Sequence, residues 1–232
     1  MKKTLLAAIL AMSATSAIAA NPSAVLKVKG TLTNAACTPT LSNGGVVDYG
    51  IINLGMLSAT QVNQLGQKDI DLTINCTSPT KVSWNLVDER SSSNANLVVE
   101  NATFNGISLQ SIDQTYGVGK AGEVNIGSYS LFIKNNSVTA DGNNVDNIIV
   151  DYYDLGGTWR NNTNGTTVGS SYRDITVANT GSVEPLAFKT ATFPMATSLA
   201  IQNTSTLAIT DDTPLDGQLT ISLRYLLSLI HI

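Results

Sequence analysis

The sequence predicts an all-β sandwich in one domain, and three observations carry that prediction. From residue 20 onward apolar residues recur with a period of two, and no stretch shows the 3.6-residue period of an amphipathic helix. Only 13% of the 232 residues are charged, whereas Asn, Thr, Ser and Gly abound, which is the composition of strands joined by polar turns. Clusters of those turn residues interrupt the alternating stretches at short intervals, the spacing of a sandwich.

The first element stands outside the fold. Lys2 and Lys3 precede an apolar run from Thr4 to Met12, and Ala17-Ile18-Ala19 supplies the small residues of a cleavage site, so residues 1–19 read as a secretory signal peptide cut before Ala20. No later apolar stretch approaches the roughly 20 residues of a membrane-spanning helix, so no transmembrane segment is expected. The protein is therefore expected to work outside the cytoplasm. In an oxidising compartment Cys37 and Cys76, the only cysteines, are expected to form a disulfide, worth roughly 4 kcal/mol in the chain-entropy model. Loss of Lys2 and Lys3 takes the formal net charge from −4 to −6, a balance that repels phosphate backbones and excludes nucleic acid as a partner.

Strands then follow in order. Leu26, Val28, Gly30 and Leu32 alternate with Val25, Lys27, Lys29 and Thr31, so a first core strand is expected with its lysines on the solvated face. Val46 to Ile52 is expected to be a second. Ile70, Leu72, Ile74 and Cys76 share one face of the next, opposite Asp69, Asp71, Thr73 and Asn75, which aims Cys76 at the core. Val82, Trp84 and Leu86 alternate with Lys81, Ser83 and Asn85 in another, closed by the polar run from Glu89 to Asn94. Val124 and Ile126 have the opposite parity to Tyr129, Leu131 and Ile133, which places a bulge at Gly127. Residues 135–183, rich in Asn, Gly and Thr and broken by Ile148 to Tyr153 and Tyr172 to Val177, read as an elaborated loop or an extra hairpin. After a turn at Pro214 to Gly217, the closing strand places Leu219, Ile221, Leu223 and Tyr225 on one face.

Motifs with chemical meaning elsewhere fail here for want of context. Gly117 to Gly122 satisfies G-x-G-x-x-G, but a strand-patterned segment follows where a helix would have to hold a pyrophosphate, so a β-turn is the better reading. Asp141 to Asp146 lacks the ligand order of a calcium loop. The sole histidine, His231, cannot build a triad or a zinc site, and no catalytic residue, cofactor or metal is expected. Adjacent acids such as Asp151 with Asp154, or Asp211 with Asp212, read as surface. Tyr152, Tyr153, Trp159 and Tyr172 read as core or loop anchors, or as a platform that stacks on a sugar ring.

Four segments resemble, in order, the fimbrial (pilin-like) subunits that chaperone-usher systems assemble on Gram-negative bacteria. They are LKVKGTLTNAAC at Leu26 to Cys37, VDYG at Val47 to Gly50, the strand ending in Asn75-Cys76, and DGQLTISLRY at Asp216 to Tyr225. ACTPTLSNGGVVDYG and INCTSPTKV are similar, more narrowly, to a fimbria-like family of unknown function labelled beta-fimbriae probable subunit. The resemblance implies an immunoglobulin-like sandwich that lacks its last strand and leaves its core open along a groove. It also implies a periplasmic pilus chaperone, an outer-membrane usher and other fimbrial subunits as partners, and a role in cell adhesion, with a host glycan or surface receptor as a further partner. The closing strand, Leu219, Ile221, Leu223 and Tyr225, becomes the assembly strand on this reading. Tyr152, Tyr153, Trp159 and Tyr172 become a ligand loop if the chain is instead a secreted, monomeric glycan-binding module.

Two features depart from the pilin pattern. Only Ala20 to Ala24 precede the expected first strand, a poor extension for donating a strand, which points to a chain that receives one or completes itself. Residues 227–232 continue past the closing tyrosine where pilins stop. That apolar tail reads either as a self-completing segment or as a miscalled end of the reading frame, leaving residues 20–226 as the fimbrial-type domain.

Overall fold

The computed structural model describes residues 36–152 and 157–226. The signal peptide, the expected strand Leu26 to Leu32, Tyr153, Asp154 and the tail with His231 lie outside the described residues.

The described strands are β1 (Cys37–Leu41), β2 (Asn63–Thr80), β3 (Val82–Asp88), β4 (Tyr116–Gly117), β5 (Lys120–Ala121), β6 (Val124–Asn125) and β7 (Gly127–Ile133). After them come β8 (Thr139–Ala140), β9 (Asn143–Asn144), β10 (Asp146–Asp151), β11 (Arg160–Asn161), β12 (Arg173–Ala178), β13 (Phe188–Ile201) and β14 (Leu219–Tyr225). A single turn of helix, α1 (Thr204–Leu207), is capped by the Asn203 side chain, which accepts from the Thr206 amide. One sheet runs β1-β2-β13-β7-β4 with the β8–β9 hairpin attached to β13, and the other runs β11-β10-β12-β3-β14. Facing each other, they make the all-β, immunoglobulin-like sandwich with one disulfide that the sequence predicts.

Alternation decides which side chains meet between the sheets. In β2, Ile70, Leu72 and Ile74 are buried while Asp69 and Asp71 are exposed. They pack with Ile133, Phe193 and Met195 of their own sheet against Trp84, Leu86, Ile149, Ile175 and Val177 of the other. Trp84 and Phe193 meet edge to face with ring centroids 5.6 Å apart, the arrangement aromatic quadrupoles favour. Cys37 and Cys76 are directly opposite each other on β1 and β2 and form the disulfide, 39 residues apart in sequence, half-buried against this core.

Several elements differ from the sequence reading. Val46 to Ile52 forms no strand. The turn Ser42–Gly45, with Asn43, Gly44 and Gly45 at φ of 52°, 62° and 82°, swings the chain away from β2. Val47 and Tyr49 still turn inward, so the alternation is genuine, but among the described residues no strand pairs with it. Residues 135–183 hold two central strands, β10 and β12, besides the β8–β9 hairpin. Ile148, Ile149 and Val150 are all buried, because the strand is covered on both faces and loses the period-two signature of a half-exposed one. The 14-residue β13 has no counterpart in the sequence reading. Pro194 interrupts it and Ala196, Ser198 and Ala200 on its second face are buried too.

Gly127 marks no bulge. It opens β7 directly opposite Ile201, and a Cβ there would stand 2.2 Å from the Ala200 carbonyl oxygen, so only glycine lets β7 approach β13 so closely. Gly117 to Gly122 is not one turn: Gly117 ends β4, Lys120 and Ala121 form β5, and Gly122, at φ 57°, enters the turn that closes the β5–β6 hairpin. Asp141 is more than a solvated loop residue, since its carboxylate accepts from the Lys189 and Thr190 amides where the register of β13 against β2 shifts.

Candidate functional site: an open apolar groove

At the edge of the second sheet, β14 pairs, among the described residues, with β3 alone, from Leu219 opposite Asp88 to Tyr225 opposite Val82. Its other edge has no partner strand among the described residues. Leu219, Ile221 and Leu223 are half-buried against the core, while Thr220, Ser222 and Arg224 face outward. Tyr225 departs from the expected face: it is 43% exposed, and its hydroxyl accepts from the Cys37 amide at 2.9 Å, tying the end of β14 to β1 beside the disulfide.

Beside β14 lies a cleft of about 830 Å³. One wall is Leu215 to Ile221, the other the unpaired stretch Val46 to Ile52, and the floor includes Ile70, Leu131, Met195 and Leu199. The cleft therefore opens straight onto the inter-sheet core. Apolar groups crowd its rim, where Val46 is 61% exposed and Ile51 fully so. A monomer rarely leaves such a patch uncovered. The wall from Val46 to Ile52 is held by Tyr49, whose hydroxyl bonds the Thr197 hydroxyl at 2.9 Å and donates to the Gly66 carbonyl at 3.3 Å. Burial pushes the Tyr49 phenol pKa up, with the Thr197 hydrogen bond pulling the other way. Its inward parity in the VDYG segment was the available signal for this anchoring role.

A buried polar cluster backs β14 on the far side of its sheet. Asp174 is fully buried and accepts from the Ser83 hydroxyl at 2.8 Å, the Asn85 amide at 3.1 Å, Arg224 at 3.1 Å and the Tyr152 hydroxyl at 3.3 Å. The Arg224 guanidinium also lies 5.0 Å from the Tyr152 ring centre. Ser83 and Asn85, the polar alternates of β3, are thus buried groups. The sequence hides this, because a polar alternate residue looks the same whether it meets water or a buried carboxylate.

Of the aromatic residues considered as a ligand loop, Tyr152, Trp159 and Tyr172 lie at one end of the second sheet, and Tyr153 lies outside the described residues. Tyr152 follows β10 and donates its amide to the Tyr172 carbonyl at 2.8 Å, and Trp159 precedes β11. Tyr152 is engaged with Asp174 and Arg224, and its phenol pKa is raised, first by burial and then by the Asp174 charge. Asp154 lies outside the described residues, while Asp151 pairs with two arginines. Burial alone would raise its pKa, but Arg173, at 2.6 Å and 3.0 Å, and Arg160 hold the carboxyl below its ordinary value. Asp211 and Asp212 stand exposed in the loop before β14, at the mouth of the groove. Among the described residues no group of three or more His, Cys, Asp or Glu could hold a metal ion, and no helix is long and apolar enough to cross a membrane.

The family described as protein of unknown function (DUF1120) matches residues 26–130. Protein GltF of Escherichia coli (strain K12) is 31% identical over 222 residues, 87% of this chain and 87% of its own. The chain belongs to the DUF1120 family. Uncharacterized protein YhcF of the same organism is 35% identical over 123 residues, half of this chain and 52% of its own length. The DUF1120 match takes in both cysteines, the VDYG wall and β3, while β14 lies beyond it. Neither relative's name carries a fimbrial description, so membership of DUF1120 and the sandwich stand as the established statements.

Proposed function

We propose that this protein is a structural or minor subunit of a fimbria-like surface assembly, built by strand complementation and contributing to cell adhesion. The observation that supports the reading is the groove itself. An apolar cleft opens onto the core beside the free edge of β14, so an added strand would pair with β14 through its backbone and fill the cleft with alternate side chains. Left open, the same edge is an aggregation hazard. On this reading the chain is exported through the periplasm, where a pilus chaperone first covers the groove, and an outer-membrane usher then passes it to other subunits at the cell surface.

The test is to express the precursor together with candidate chaperones and identify by mass spectrometry what co-purifies from the periplasm. A stoichiometric chaperone is expected. A stable, partner-free monomer would contradict the proposal.

A further inference from the structure

The outer face of the first sheet carries a second cleft. Gln67 of β2 and Phe132 of β7 have the opposite parity to the inward-facing Ile70 and Ile133, so both point away from the inter-sheet core. The chain from Leu97 to Gly106 is laid against this face and tied to it by side chains of the sheet. Gln64 donates to the Val98 carbonyl at 2.9 Å and accepts from the Glu100 amide at 3.1 Å, Gln67 donates to the Asn101 carbonyl at 2.8 Å, and the Ser198 hydroxyl donates to the Glu100 carbonyl at 2.6 Å. Asn101 and Gly106 turn the covering chain at φ of 50° and 75°. Between this chain and the sheet lies a cleft of about 460 Å³, the size of a small-molecule site. It shares no lining residue with the groove beside β14.

The lining is polar but without net charge. Lys134, its one ionised residue, is paired with Asp69 at 2.7 Å, and the other polar liners are neutral. Among the described residues the Gln67 side-chain oxygen, the whole Asn101 carboxamide and the Asn136 side-chain nitrogen have no protein partner. A carboxamide presents a donor and an acceptor side by side, which complements neighbouring hydroxyls that each donate and accept. Phe104, half-buried, and Phe132 add aromatic carbon beside these amides. We infer that the cleft binds a neutral pyranose, its hydroxyls held by Gln67, Asn101 and Asn136 and its C–H face against Phe104. The tethered chain holds these groups in place before a ligand arrives, which lowers the ordering cost of binding. The inference stands apart from the strand-complementation reading, because a strand in the groove touches none of these residues.

The test is saturation-transfer NMR on the full exported chain with glucose, galactose, mannose and N-acetylglucosamine, each as the free sugar and as its methyl glycoside. At least one is expected to bind, with an affinity that salt leaves unchanged because no net charge is involved. N101G removes the carboxamide while keeping a residue at ease with a positive φ, and F104L removes the ring while keeping apolar bulk. Each is expected to weaken binding by roughly tenfold or more, with circular dichroism and thermal melting unchanged. Binding of the methyl glycosides would mark the ligand as the end of a glycan chain, and binding of free sugars alone would mark it as a soluble sugar; either supports the inference. A panel in which no sugar receives saturation would overturn it. So would binding that survives both N101G and F104L at wild-type strength, since the sugar would then sit elsewhere on the molecule.

Discussion

Asp151, an acid that reads as surface in the sequence, is an ion-pair partner of Arg173 and Arg160 in the fold. Arg173 and Arg160 hold its pKa below the ordinary value near 4 that it has in the unfolded chain. The ion pairs therefore contribute stability that is fully present above about pH 4 and is lost as pH falls through the folded-state value. Thermal melts from pH 7 to pH 2 are expected to fall more steeply for the wild type than for D151N, and parallel curves would remove Asp151 from the acid response. Tyr49 makes a second residue-scale expectation. Y49F keeps the ring but loses the bonds to Thr197 and Gly66, at a cost of about 1 kcal/mol read by urea unfolding. Asp174 is the costlier site. Removing its charge in D174A leaves Ser83, Asn85 and Arg224 without their acceptor, and a loss of about 3–5 kcal/mol is expected by the same measurement. Asp151 and Asp174 were both visible as charges in the sequence, but their partners come from other strands, so neither role could be read there.

Among the elements, legibility followed exposure. β2 and β14 each bury one face, and their alternation placed Ile70, Leu72, Ile74, Leu219, Ile221 and Leu223 correctly. β10, β12 and β13 are covered on both faces, so Ile148-Ile149-Val150 and Ala196 to Ala200 show no period of two, and Pro194 disguised the longest strand of the back half. Val46 to Ile52 has the opposite problem. It carries a strand's pattern without a partner among the described residues, and that stretch forms a wall of the groove. The disulfide belongs to this scale as well, since it clamps β1 to β2 and β1 holds the end of β14 through Tyr225. Replacing both cysteines by serine is expected to cost about 4 kcal/mol, in line with the loop it closes. It should also loosen β14, seen as faster amide exchange at Leu223 to Tyr225; unchanged exchange there would separate the disulfide from the groove.

Among the described residues the sandwich leaves one edge, that of β14, beside an open cleft. Its fold class and disulfide were legible because export, cysteine count and alternation are properties of the chain read in order. An open groove is what the likeness to pilins implies, whereas the geometry of the cleft depends on which strand stands at the sheet edge, and no local pattern encodes that. The central claim, that β14 is an edge waiting for a strand, is tested most directly by hydrogen exchange with mass spectrometry on Leu219–Tyr225, comparing the isolated chain with the chain co-purified with its partner. Rapid exchange at alternate amides in isolation, with protection gained in the complex, is the expected result. Full protection of β14 in a stable monomer would mean that the groove is already closed and would contradict the account.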